Sequence, residues 1–169
     1  MKITPSDPED KLHKALATSG LTGEPVELAA GVYKTTRPLV LEGAILTGPR
    51  SNAINNWNHG AAVIHSGHGG HAVVMRTKPT GANPVLAHVR LVCYHDTKQG
   101  AGSAGIYVEP GTTVDGKPLL TAALIDGALI DGACNGVEFV PGTGQHRVND
   151  LTVRSFRNAG IRCADNTRV

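Results

Sequence analysis

The sequence predicts an all-β solenoid, a short parallel β-helix preceded by one α-helix. Three observations carry this. First, the second half repeats loosely: HVRLVCYHD…SAGIYVEPG (88–111), GALIDGACNGVEFVPG (127–142) and NDLTVRSFRNAGIRCAD (149–165) each hold a short apolar run, a polar break and a Gly-aliphatic pair. Those pairs are Gly105-Ile106, Gly136-Val137 and Gly160-Ile161. A unit of this size buries its apolar side only by stacking on its neighbours. Second, 21 Gly and 10 Pro point to many tight turns, and with 4 % aromatics the core must be aliphatic. Third, the order of elements is kept from unit to unit, which favours a coil of parallel strands over mirrored hairpins.

The elements follow in order. Residues 7–18 predict a helix: Asp7 caps it, Pro8 takes the first position, and Glu9 and Asp10 suit its positive end. Leu12, Ala15 and Leu16 form its apolar face and Gly20 stops it. Residues 1–22 are therefore read as a capping helix with its linker, covering the first open edge, and 23–169 as β-helix rungs. From Val26 the pattern is strand, turn, strand: Val26 and Leu28 share a face, Leu39 and Leu41 another, and Ile45 aligns with Thr47. Segments 61–65 and 72–76 are further strands, while 50–60, 77–84, 96–104 and 109–118 read as loops. Asn135 and Asn158 precede their glycines at bends where stacked Asn side chains would share hydrogen bonds. A unit of roughly 20-odd residues leaves room for about six rungs. The last residues, NTRV, read as the approach to another rung, which partner subunits or further chain would cover.

The bulk numbers exclude some classes. The net charge is +2, with no basic stripe of interleaved aromatics, so nucleic acid is not an expected partner. No apolar run approaches the roughly 18 residues of a membrane span. The N-terminus lacks the apolar stretch of a secretion signal, so synthesis in a cytoplasm is expected. Cys93, Cys134 and Cys163 are odd in number and far apart, which favours reduced, structural thiols.

The stretch GEPVELAAGVYKTTRPLVLEGAILTGPRSNAI, entered from a helix, resembles the start of the right-handed parallel β-helices of the pectate-lyase-like superfamily. Its strands correspond to Val26–Tyr33, Pro38–Glu42 and Ala44–Gly48, and the later NGV and NAGI units resemble rung bends. The resemblance covers nearly the whole chain as architecture and implies a right-handed coil. That superfamily includes polysaccharide lyases, polygalacturonases, epimerases and bacteriophage tailspikes, the last commonly homotrimers bound to bacterial surface glycans. The resemblance therefore implies a virion or tailspike-type module: structural, glycan-binding, homotrimeric, contacting other virion proteins, made in a host cytoplasm. The alternative is a polysaccharide lyase or glycoside hydrolase. No cofactor is implied.

Candidate residues follow. Glycan hydrolysis needs two carboxylates roughly 5–9.5 Å apart. Asp126 and Asp131, in LIDGALIDGA, are the first pair, joined by Asp150 and Asp165 if rungs stack in register. Each of the first two precedes Gly, so both are also read as turn residues. The polygalacturonase-type set (Asn-x-Asp, Asp-Asp, Gly-His-Gly) is not present as a set, since His59-Gly60 and Gly67-His68-Gly69 lie upstream of the acids. Glu138 and Arg162 alternate with apolar residues and point outward, with Glu109 extending the same face; Arg154 and Arg157 lie nearby. This ladder reads as a sugar-contacting face, a subunit contact or a solvated surface. His65, His68 and His71 have ligand-like spacing, but a Gly-rich loop gives little rigidity, so no metal is assigned. His88, His95 and His146 are placed at strand edges and loops. Trp57, flanked by amides, reads as a sugar-stacking or interface residue, or as a cover over the first rungs.

Overall fold

The computed structural model describes residues 1–50, 60–93 and 102–164. The chain opens with β1 (Lys2–Ile3) and α1 (Glu9–Thr22). The first two turns are β2 (Val26–Leu28), β3 (Gly31–Thr35), β4 (Leu39–Glu42) and β5 (Ile45–Thr47), β6 (Ala62–Ser66), β7 (Val73–Arg76). The third is β8 (Val85–Ala87), β9 (Val89–Cys93), β10 (Ala104–Val108), followed by a hairpin of β11 (Gly111–Thr112) and β12 (Pro118–Leu119). The last two are β13 (Leu124–Asp126), β14 (Leu129–Asp131), β15 (Asn135–Phe139) and β16 (Arg147–Asn149), β17 (Thr152–Arg154), β18 (Ala159–Cys163). The first strand of every turn joins one sheet (A), the second another (B) and the third another (C). All pairings in these three sheets are parallel; β11–β12 alone is antiparallel among the described strands. The protein is thus predominantly β, with one helix and stacked parallel sheets.

Register explains the core. Leu46, Leu86 and Ile125 stack in sheet A, Ile64, Leu91 and Ile130 in sheet B, and Val73, Ile106 and Val137 in sheet C. Each of these nine is fully buried. Like side chains stacked in successive turns exclude water from each other, and each buried aliphatic contributes about 1.5–3 kcal/mol. Ile106, Val137 and Ile161 are register partners, so the Gly-aliphatic repeat marks the same point of successive turns. The glycine has a steric cause. A Cβ on Gly105 would lie 2.5 Å from Ile130 Cγ2, and one on Gly136 would lie 2.3 Å from the Gly160 carbonyl oxygen and 2.4 Å from Val153 Cγ1. The adjoining Asn residues are coupled as expected: Asn158 Nδ2 donates to Asn135 Oδ1 at 2.8 Å, and Asn135 is fully buried.

The N-terminal segment departs from the sequence reading in three ways. Lys2–Ile3 is a strand of sheet A, paired with β2. The helix begins after Pro8, which is its N-cap, and Asp7 makes no cap. The Asp7 carboxylate instead accepts from Lys11 Nζ, the Thr4 amide and the Thr4 hydroxyl, which together hold its pKa down at about 2. Gly20 does not stop the helix, which runs to Thr22 and ends at Gly23 in a left-handed conformation. Gly20 is a packing glycine: its Cβ would lie 2.4 Å from the Glu42 carbonyl oxygen. The helix grips the first turn at one end and the second at the other. Glu9 accepts from the Thr36 amide and hydroxyl and Asp10 from Arg37, while Ser19 Oγ accepts from the Ile45 amide. Leu12, Ala15 and Leu16 join the common core.

Ile45 and Thr47 share one face of β5 as expected, and Leu46 between them is its buried residue. Two smaller corrections follow from geometry. The described residues make five turns rather than six, because connections at the corners lengthen several of them. Part of the predicted 109–118 loop is the β11–β12 hairpin.

His146 is almost fully buried, stacked on Phe139 at 4.3 Å, and its Nδ1 accepts from the Ala123 amide at 3.1 Å. Burial holds its pKa down at about 4. Because the folded value is depressed below the ordinary one near 6.5, His146 contributes stability fully present above that pH and lost as pH falls toward 4.

Two predictions follow. Gly136→Ala should destabilise the fold by about 1–3 kcal/mol in urea unfolding, while Gly160→Ala, where the nearest atom to a new Cβ lies 3.4 Å away, should cost much less. The unfolding free energy should rise between pH 4 and 6.5, and His146→Gln, which keeps an acceptor for Ala123, should remove about 2–3 kcal/mol of that rise.

Candidate functional site

The corner between sheets A and B is crossed in successive turns by Gly48-Pro49, His88, Gly127 and Asp150. The backbone ladder continues through it: the Gly48 amide donates to Ala87, the His88 amide to Asp126 and the Gly127 amide to Asn149, at 2.8–3.0 Å. His88, Gly127 and Asp150 make this bend in the left-handed region, with φ of 55°, 59° and 47°. Two of the three are not glycine. Such residues are uncommon and tend to gather at functional positions.

This corner forms a groove of about 930 Å³. Arg50, His88 and Arg90 line it from the second and third turns, and Asp126, Asn149 and Asp150 from the fourth and fifth. Asp126 and Asn149 are register partners, which brings Asp150 to the same mouth. Arg50 Nε donates to His88 Nε2 at 3.2 Å. Gly127 makes room for that ring, since a Cβ there would lie 2.4 Å from His88 Nδ1. Arg90 is 6 % exposed, and burial together with the charge of Arg154 lowers its pKa. The groove thus carries nitrogen donors at one end and carboxylate and amide acceptors at the other.

Of the sequence candidates, Asp126 and Asp150 share this groove. Asp131 does not: it ends β14 at the opposite corner, in register with Val92 and Arg154. Cys93 lies near it, its thiol pushed up to about 12 by burial and secondarily by the Asp131 charge. Asp126 and Asp131 each precede a left-handed glycine, so both also serve as turn residues. Asp165 and Trp57, like His59 and His95, lie outside the described residues.

Glu109, Glu138 and Arg162 all face outward on sheet C, but they divide into two rows. Arg76 donates to Glu42 at 2.9 Å and to Glu109 at 3.2 Å. Arg162 pairs with Glu138 at 3.2 Å, and Glu138 also accepts from Asn135 Nδ2. The residue beside Glu138 in the preceding turn is Tyr107, not Glu109. Exposed pairs of this kind contribute about 0–1 kcal/mol each. Arg154 belongs to sheet B, away from this ladder.

The three spaced histidines make different contacts. His65 lies on sheet B, in register with Lys34 and Val92. His68 Nδ1 accepts from the Gly70 amide. His71 stacks on Tyr107 at 3.9 Å, its Nδ1 accepting from the Ala104 amide, with its pKa lowered by burial. Among the described residues, no group of three or more His, Cys, Asp or Glu is placed to hold a metal ion. No described helix is long and apolar enough to cross a membrane.

The sequence reading missed Arg50, Arg90 and Asn149, and placed His88 at a strand edge or loop without assigning it to a site. A signal for the corner exists: LAHVRL, LIDGALI and VNDLTV superpose as strand, one- or two-residue bend, strand. No family model matches this chain, and no curated protein or solved structure matches it either.

Asp150→Gly should leave stability unchanged or raise it by up to about 1 kcal/mol, because glycine adopts the left-handed bend freely. Gly127→Ala should cost more than about 1 kcal/mol, from its φ and its contact with His88. Equilibrium urea unfolding of both variants measures the contrast.

Proposed function

We propose that this chain is a right-handed parallel β-helix module of virion or tailspike type, structural and glycan-binding, with α1 as its N-terminal cap. Crossovers between parallel strands of one sheet are right-handed in about 98 % of cases, which supports the handedness. The contacts of α1 with Thr36, Arg37 and Ile45 support the capping role. A rigid stem with bacterial surface polysaccharide as its partner, assembled as a homotrimer with other virion proteins, follows from the resemblance of its strands and bends to such modules.

One observation carries the glycan reading. The groove at the A–B corner spans several turns and sets fixed donors against fixed acceptors. Saccharides present dense hydroxyl groups, each a donor and an acceptor, and Asp, Asn, Arg and His match them in pairs. Left-handed His88 and Asp150 add support, since glycine would make the same bend without strain.

A second reading, a polysaccharide lyase or glycoside hydrolase, is favoured by the shared placement of Asp126 and Asp150. Two carboxylates flanking one bond are the minimum machinery for glycoside hydrolysis.

Ligand-observed NMR against a panel of bacterial surface polysaccharides tests the first reading. Binding should weaken about tenfold or more in the Asp126→Asn, Asp150→Asn double variant, equivalent to at least about 1.4 kcal/mol, with the unfolding midpoint unchanged. Full binding by that variant removes the groove as the site. Release of reducing or unsaturated ends that stops in the variant selects the enzymatic reading. Sedimentation at the mass of a single chain counts against the trimer.

A further inference from the structure

Residues 140–146 cross from sheet C to sheet A between β15 and β16. They form a strap fixed at few points. At one end the Val140 amide donates to the Val108 carbonyl, and at the other the Arg147 amide donates to the Ala123 carbonyl. Between these ends Pro141, Gly142 and Gln145 are exposed, while the side chains of Thr143 and His146 are buried. Thr143 Oγ1 donates to the Val140 carbonyl at 2.8 Å, and the Gly144 amide donates to the Thr121 carbonyl at 3.0 Å. Gln145, next to His146, has φ of 58°, a left-handed conformation that strains a residue other than glycine.

His146 is the unusual anchor. Ala44, Pro84 and Ala123 stand at the same point of earlier turns, immediately before β5, β8 and β13. None of those side chains titrates. His146 does, and the corner suits its neutral form. Its Nδ1 accepts from the Ala123 amide, and its Nε2 is buried with no hydrogen-bond partner. An imidazolium donates from both nitrogens, so protonation removes the Ala123 bond and leaves a charge stacked on Phe139 in an apolar corner. The charged and titratable groups on the elements around the strap are Glu109 before Pro110, Asp126 on β13, Glu138 on β15, Cys163 on β18 and Arg147 beside His146. None of them contributes to the lowered pKa of His146, which burial alone causes.

We propose that residues 140–146 are an acid-released strap: protonation of His146 expels its ring from the corner between sheets C and A, and the strap swings out and uncovers Phe139 while the stacked columns stay in place. Strain at Gln145 is relieved in the same movement. The sign follows from the exposed ring binding protons more readily than the buried one. Closure is fully favoured above about pH 6.5 and weakens as pH falls toward 4. The strap is independent of the groove between sheets A and B, and glycan titration does not report on it.

Amide hydrogen exchange of the full chain between pH 7 and 4.5, corrected for intrinsic rates, tests this. The Ala123 and Gly144 amides, which the strap holds, should lose protection about fiftyfold over that range. Low urea should leave their exchange unchanged, because a swinging strap exposes little surface, whereas exchange in β6 and β9 should be slower and urea-dependent. His146→Gln keeps an acceptor for Ala123 and should abolish the pH dependence. Thr143→Val loses the other anchor's hydroxyl bond and should speed exchange at every pH with the same dependence. Circular dichroism confirms that each variant folds. Exchange at Ala123 and Gly144 that ignores pH in the unaltered chain overturns the proposal. So does a urea-dependent loss shared equally with β6 and β9, or a fiftyfold loss that persists in His146→Gln.

Discussion

Everything in this fold depends on repetition in phase. A parallel coil has no hairpin to fix its register, so register must come from side chains that cover one another in consecutive turns. The columns Leu46–Leu86–Ile125 and Ile106–Val137–Ile161 supply it. A slip of one residue would turn each column outward and put polar neighbours inside. The bends must then recur at matching points, which is why glycine and left-handed residues are placed by turn rather than by local sequence.

Much of this arrangement was legible before any coordinates. The Gly-aliphatic pairs at 105, 136 and 160 mark one point of successive turns, and at 105 and 136, which are covered by a following turn, only glycine fits. The Asn135–Asn158 coupling was legible for the same reason. The helix was placed correctly but its ends were not: Asp7 resembles a cap yet is held by Thr4 and Lys11, and Gly20 resembles a stop yet packs on Glu42. Both errors arise where a long-range contact overrides a local preference.

The groove was legible only in part. Asp126 and Asp150 were singled out for their chemistry, and register brought them together. Asp131 was singled out for the same chemistry, but one three-residue strand carries it to another corner. Arg50 was not singled out and His88 was read only as a strand-edge or loop residue, because their role comes from stacking across turns, between residues far apart in the chain. In a coil of this kind, closeness along the sequence is a poor guide to shared function, and equivalent position within the turn is a better one.

The A–B corner is crossed by a single residue between β8 and β9, but by residues 48–61 between β5 and β6. The same ladder accommodates both. Closing a longer loop costs only about 0.6 kcal/mol per doubling of its length, so the insertion is thermodynamically cheap where it leaves the columns alone. Chain length at that corner is decoupled from the architecture. Variation in chain length at such a corner can therefore accumulate while the frame that holds Asp126 and His88 stays as it is.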